Sequence, residues 1–299
     1  FVLAYNNVLQ LFSRAGKPLA APVVVHEAAA DFVDFGFVVA VGTDGRIAVA
    51  WASGGTAPYP GPCLSNSYAR IFSPHLAPLT GTLVLDVGSN SDCSGPQPDA
   101  IALTPGDDIF ALLTCWCAGT YVYSVRIDSH GGDLPPAYVD FNCGGHLNNC
   151  NTLDASLAVG ADGRLVVLED YWADPEIEAG TPFTGIDGQV FDVDGNFLAG
   201  LFPVARPSVG MVANPQIAWI GARRAFVAVW LAEGQDGVGT DIFGRLLGAE
   251  ANPEGRQFRV SLPAAPGQEL PALAAGGANA VAVWAEQSTS TVYARVITP

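Results

Sequence analysis

Short apolar runs punctuate this chain at regular intervals, each rich in Val, Ala and Leu and each closed by polar or turn-forming residues. The clearest are FVLAY, IAVAW, LVVLE, FVAVW and AVAVW, ending at Tyr5, Trp51, Glu169, Trp230 and Trp284. Their β-branched and aromatic content over so few residues predicts buried strands rather than helices. Most of these runs follow a smaller apolar segment with alanine at its centre. The central residues are Ala40, Ala102, Ala158, Ala218 and Ala274, separated by 62, 56, 60 and 56 positions. Between the two runs lie turns such as Asp44-Gly45 and Asp162-Gly163. Asp-Gly flanked by apolar runs is a strong hairpin signal. A recurrence of this period means a repeat architecture.

Each unit divides into four strands, A to D. In one unit these read NPQIAWIGA, ARRAFVAVWLAE, TDIFGRLLGAE and RQFRVSL. Strand C carries a long polar side chain at one matching place: Gln10, Arg70, Arg126, Gln189, Arg245 and Arg295. Recurrence in every unit marks it as structural. Four-stranded antiparallel units of this kind predict an all-β chain folded as a β-propeller, one domain over residues 1–299. Alanine fits strand A, which lies innermost, where the sheets converge. The chain opens on strand B and closes on strand C, so six blades are expected, with an N-terminal closing segment missing from this sequence. A five-blade ring with extra N-terminal strands is the alternative. No helix is expected.

The stretch FVAVWLAEGQDGVGTDIFGRLLGAEANPEGRQFRV resembles a repeat of large bacterial secreted and surface proteins: an apolar strand ending in Trp, a Gly/Asp loop, an aromatic strand, an Asp-Gly turn and a last strand. FDVDGNFLAG carries the same turn. The resemblance implies an extracellular β-propeller and brings no catalytic motif. The sialidase Asp-box is absent.

Composition narrows the classes. Hydrophobic residues make up 49% and charged residues 14%, ample for a core and unlike a disordered chain. Gly (34) and Pro (22) supply the many turns that short strands need. A net charge of −16 repels phosphate backbones and anionic membranes, so nucleic acid is not an expected partner. No apolar run is long enough to span a bilayer as a helix.

Six cysteines suggest an oxidising compartment, hence a secreted or cell-surface protein. Cys63, Cys93, Cys115, Cys117, Cys143 and Cys150 all fall on or near the face of the B–C and D–A loops. Topology favours Cys63–Cys93, with Cys115 and Cys117 pairing to Cys143 and Cys150. Zinc on Cys115, Cys117, Cys143, His146 and Cys150 is the alternative, although the spacing fits no common zinc motif.

The best site candidate is the segment after strand B of the fourth unit, EDYWADPEIEAGTPFTGID, read as a loop. Here Glu169 stands where other units have Trp, followed by Asp170, Tyr171, Trp172 and Asp174; the next unit adds Glu233 and Asp236 on the same face. Rings stack on sugar faces and carboxylates accept from hydroxyls, so glycan is a fitting ligand. The same carboxylates could bind calcium or serve as a glycosidase pair. Asp192-Val-Asp194-Gly195-Asn196 has part of a calcium-loop pattern but matches the ordinary C–D turn. No nucleophile elbow or phosphate loop is present, and no catalytic residue is assigned. No cofactor is expected beyond calcium at those carboxylates. The expected function is a non-enzymatic binding or surface-assembly module for glycan or protein, acting through its Cys-rich loop face. The incomplete terminal blades offer edges for self-assembly. The alternative is an extracellular polysaccharide hydrolase or lyase.

Overall fold

The apolar runs become strands in a computed structural model of the chain, and those that are apolar on both faces, such as Ile47–Gly55 and Ala225–Glu233, pack on two neighbouring sheets. The structure describes residues 1–5, 7–13, 15–27, 32–55, 65–87, 94–106, 108–116, 120–134, 150–173, 184–206, 210–233, 239–262, 267–287 and 289–298. Two compact units divide the chain, Phe1–Tyr138 and Val139–Pro299.

In the first unit, β1 (Val2–Tyr5), β2 (Val8–Leu11) and β3 (Val23–Val24) form one sheet. A second contains β4 (Phe32–Val41), β5 (Ile47–Gly55), β6 (Ser65–Phe72) and β7 (Leu83–Val87), and a third β8 (Ser94–Leu103), β9 (Ile109–Trp116) and β10 (Thr120–Ile127). In the second unit, the fourth sheet contains β11 (Cys150–Val159), β12 (Leu165–Ala173), β13 (Thr184–Phe191) and β14 (Phe197–Ala205). The fifth contains β15 (Val212–Ile220), β16 (Ala225–Glu233), β17 (Thr240–Leu247) and β18 (Pro253–Arg259), and the sixth β19 (Gln268–Gly276), β20 (Asn279–Glu286) and β21 (Thr291–Ile297). Strands follow one another in sequence order across every sheet, and all pairings are antiparallel. Among the described residues the one helical element is a 3₁₀ turn at Gly221–Arg223.

The period-two pattern of β16 is divided between two cores. Phe226, Ala228 and Trp230 pack with residues of the fourth sheet, such as Leu168 and Ile186. Val227, Val229 and Leu231 pack with residues of the sixth, such as Ala282 and Trp284. A strand buried on both faces must be continuously apolar, which is why these runs stood out in the sequence. The first strands of successive sheets lie side by side, β4 with β8, β11 with β15 and β15 with β19. Ala102, Ala158 and Ala218 are buried there, whereas Ala40 is half-buried and Ala274 exposed.

The Asp-Gly hairpins close as the residues require. Gly45 adopts φ +85° and its N–H donates to Gly42 O, while Gly42 N–H donates to Arg46 O. Gly160–Arg164 repeats both bonds. This is a tight turn followed by a left-handed glycine, the geometry in which a Cβ would be strained. Asp192 caps the C–D turn: its Oδ1 accepts from Asp194 N at 2.9 Å and from Asn196 N at 2.8 Å.

The recurring arginine of strand C joins one sheet to the one before it. Arg70 Nη1 donates to Val25 O at 2.9 Å, Arg245 Nη1 to Val204 O at 3.3 Å and Arg295 Nη1 to Val260 O at 2.9 Å. All three valines are buried, so their carbonyls would otherwise lack a partner in a water-poor setting. Arg70 also reaches Thr80 O through Nε and lies over the Phe72 ring. Arg70→Ala is therefore expected to destabilise the protein by about 2 kcal/mol. Arg70→Lys should recover less than half of this, because an ammonium cannot span both carbonyls as a planar guanidinium does. Chemical denaturation checks both; a Lys variant as stable as the parent would contradict the latch.

Candidate functional site

The segment from Glu169 to Ala173, expected in a loop, belongs to β12. The correction has a physical cause. The residues pair along β13, Glu169 with Asp187, Asp170 with Ile186, Tyr171 with Gly185 and Trp172 with Thr184. The hairpin thus extends past the position where Trp ends the strand elsewhere. Glu169 and Asp170 are each 1% exposed and Tyr171 3%, so these side chains are sealed rather than solvated.

Glu169 occupies the register of a cross-strand aromatic pair. The equivalent pairs are Trp51 with Tyr68, Trp230 with Phe243 and Trp284 with Tyr293. In the fourth sheet that pair becomes Glu169 with Asp187, two carboxylates facing each other, and Asp187 is fully buried. Two buried like charges are costly unless a cation or a donor joins them. Here Gln189 Nε2 approaches Glu169 Oε1 at 3.4 Å, and Arg206, at the end of β14, forms an ion pair with Asp187. Arg206 also lies over the Tyr171 ring, 5.5 Å from its centroid. Gly185 is required beneath that ring, since a Cβ there would fall 2.5 Å from the Tyr171 hydroxyl. Burial pushes the Asp187 carboxyl above the ordinary carboxylate range, and Arg206 offsets this only in part. Burial likewise raises the Tyr171 hydroxyl.

Asp170 points to the other side of the same strand and ties two sheets together. Its Oδ1 accepts from Asp154 N at 2.9 Å and its Oδ2 from Asn214 N at 2.8 Å. Asp154 and Asn214 each stand four residues before the aligned alanine of their first strand, Ala158 and Ala218. Both sit where the register of β11 against β12, and of β15 against β16, slips by a bulge. Asn214 adopts φ +52° there, and its Nδ2 donates to Asp154 Oδ2 at 2.5 Å. Asp154 is half-buried, and desolvation raises its carboxyl above the usual range against the lowering effect of Asn214. A carboxyl whose proton is held more tightly than usual at the edge of solvent is suited to donating or accepting a proton in acid–base chemistry.

In the first unit a second polar cluster forms around Asp34 of β4. His26 Nδ1 lies 3.0 Å from Asp34 Oδ2, and the Asp34 side chain is 3% exposed. The His26 ring lies 5.3 Å from that of Trp51, and His26 N donates to Asn7 Oδ1 at 2.9 Å.

Of the residues singled out in the sequence, Glu169, Asp170 and Tyr171 are gathered in β12. Glu233 is exposed at the end of β16. Asp174, Asp236 and the side chain of Trp172 lie outside the described residues. So do the side chains of all six cysteines, although the Cys115 backbone belongs to β9 and that of Cys150 begins β11 rather than a loop. Among the described residues no three His, Cys, Asp or Glu side chains converge to hold a metal ion. Asp34, Asp154, Asp187, Arg206 and Asn214 escaped sequence reasoning. Alignment on the alanines contained the signal for two of them, since polar residues four positions earlier replace Gly36, Pro98 and Leu270 of the other units.

Solved structures similar to this chain share its architecture. A protein of unknown function from Dyadobacter fermentans aligns over 98% of this chain and 83% of its own, with a TM-score of 0.63 at 11% identity. An α-L-arabinanase of Penicillium chrysogenum, complexed with arabinobiose, aligns over 86% of this chain and 76% of its own, with a TM-score of 0.57 at 12% identity. An ulvan lyase bound to a GlcA(1-4)Rha3S unit aligns over 99% and 79%, with a TM-score of 0.52 at 9% identity. The fold is a β-propeller. No family model and no curated relative match the chain. Among the described residues no helix is long and apolar enough to cross a membrane.

Asp154 gives a test of the site's electrostatics. Its folded-state pKa is raised, so the folded chain holds this proton more tightly than the unfolded one. The associated stability is fully present below the unfolded value of about 3.9 and is lost as pH rises through the folded pKa. Asp154→Asn cannot ionise and its amide oxygen can still accept from Asn214. It should melt above the parent at pH about 7, with the gap closing as pH falls towards about 4. A gap that does not depend on pH would contradict the raised carboxyl.

Proposed function

We propose that this protein is an extracellular six-bladed β-propeller that cleaves polysaccharide, as a hydrolase or lyase, with Asp154 as its proton-transferring carboxyl. The observation that carries the reading is the Asp154 site: a half-buried carboxyl on a first strand, raised by desolvation and fixed through Asn214 and Asp170. Glycosidic cleavage needs a carboxyl that is protonated when it meets the leaving oxygen, and lyase chemistry needs a group to take or return a proton. Asp170 is the positioning residue. It touches no accessible surface and acts by holding both bulges in place. Similarity to an arabinanase and an ulvan lyase supports a polysaccharide as the substrate class through the shared fold. Secretion, with disulfides among the six cysteines, belongs to the same reading.

A second reading is a non-enzymatic glycan- or protein-binding module. It is favoured by the sealing of Glu169, Asp170 and Asp187, which places three acids of the fourth sheet out of a ligand's reach. Incubation with a panel of neutral and acidic polysaccharides separates the two. Cleavage is read as new reducing ends for a hydrolase, together with ultraviolet absorbance of an unsaturated product for a lyase. On the cleaved polymer, Asp154→Asn should lower kcat by about 10²–10⁴-fold while leaving the protein folded. Retention on an affinity gel without cleavage of any polymer would favour the binding module.

A further inference from the structure

We propose that the cleft between the fourth and fifth sheets is an anion site that takes the carboxylate or sulfate of an acidic glycan. It lies where the end of β14 meets β17 and β18, and has a volume of about 490 Å³, within the roughly 300–1,000 Å³ of small-ligand sites. Arg206, Arg245 and Arg256 all line it, beside Gln257 and Pro203, and no Asp or Glu is among its lining residues. The chain has 13 Lys and Arg against 29 Asp and Glu. Three guanidiniums in one cleft of so acidic a protein form a local reversal of charge.

The bonding of Arg245 and Arg256 leaves their charge uncompensated. Arg206 is matched by Asp187. Arg245 spends its Nη atoms on two carbonyls, Val204 O at 3.3 Å and Gly255 O at 3.1 Å, which orient the guanidinium without neutralising it. Its buried Nε has no hydrogen-bond partner. Arg256 is exposed and makes no hydrogen bond or ion pair among the described residues. The backbone provides the opening: β18 departs from the β17 register between Phe258, opposite Gly244, and Glu254, opposite Leu246. Gly255, at φ +64° with open space where a Cβ would stand, carries the chain through that departure.

Guanidiniums read planar or tetrahedral oxyanions through paired N–H donors. No aromatic side chain lines the cleft, so it offers no platform on which a nucleobase could stack. Beside the arginines, Gln257 offers one uncharged polar group and Pro203, Val204 and Ala205 an apolar wall, against which the C–H face of a sugar bearing one acidic group can lie. For the class of ligand, this inference rests on the polysaccharide reading above; the cleft itself does not involve Asp154.

The test is calorimetric titration of the full chain in its Asp154→Asn form, so that cleavage does not consume the ligand. The probes are oligogalacturonate, a sulfated oligosaccharide, neutral arabino-oligosaccharide, inorganic sulfate and a poly-aspartate peptide. At least one of the two acidic oligosaccharides should bind more than tenfold more tightly than the neutral one. Adding Arg256→Glu should weaken that binding at least tenfold, and Arg256→Ala should weaken it less, both with unchanged melting. Equal binding of acidic and neutral oligosaccharides, no binding of either, or indifference to Arg256→Glu would overturn the site. Preference for inorganic sulfate or poly-aspartate would overturn its assignment to glycan. If Asp154→Asn still cleaves polymer, the catalytic reading fails while the effect of Arg256→Glu on binding remains readable.

Discussion

The structure depends on one recurring bond, an arginine of one sheet donating to a buried valine carbonyl at the end of the preceding sheet. A propeller sheet satisfies its own backbone internally, but the end of its last strand has no further strand to pair with. In a packed interior that orphaned carbonyl is expensive. Arg70, Arg245 and Arg295 meet it with a planar guanidinium donor. Apolar packing between sheets is strong but non-directional. The guanidinium bond adds the direction, fixing where one sheet stands against the next and allowing Trp51, Trp230 and Trp284 to fill the adjoining spaces.

The fourth sheet abandons both devices together. Its strand C position is Gln189, and its Trp position is Glu169. The aromatic pair of other sheets becomes a carboxylate pair, and the balancing cation comes instead from Arg206, the residue after β14. That replacement exchanges apolar packing for a network in which every member depends on another. Asp170, next along β12, extends the network to Asp154 and Asn214 on the first strands of two sheets. Buried polar networks of this kind favour specific geometry over stability, which is the exchange expected at a functional site and costly elsewhere. Arg206 also borders the arginine-lined cleft, so the cation that balances Asp187 stands at the edge of a second feature with its own chemistry.

The fold was legible because its signals are local. Apolar runs, Asp-Gly turns and the strand C arginine each lie within a few residues, and repetition multiplies them. The divergence at Glu169 was legible for the same reason, as a break in a repeating position. Its meaning was not. A Glu-Asp-Tyr-Trp run beside Pro and Gly reads as an exposed loop, because nothing in the sequence shows that β13 extends to cover it. Asp187 and Arg206 lie 19 residues apart, and Asp154 and Asn214 lie 60 apart; their partnership arises only when strands pair and sheets stack.

The sequence alone therefore determined the architecture: an all-β chain of repeated antiparallel hairpins, with small residues on the first strands and arginine on the third. Periodicity and turn chemistry act over short distances and survive in a linear text. Tertiary structure alone decided which charges are buried, which carboxyl is raised and where three arginines meet. Those properties depend on desolvation and on distances across strands, and neither exists until the sheets have packed.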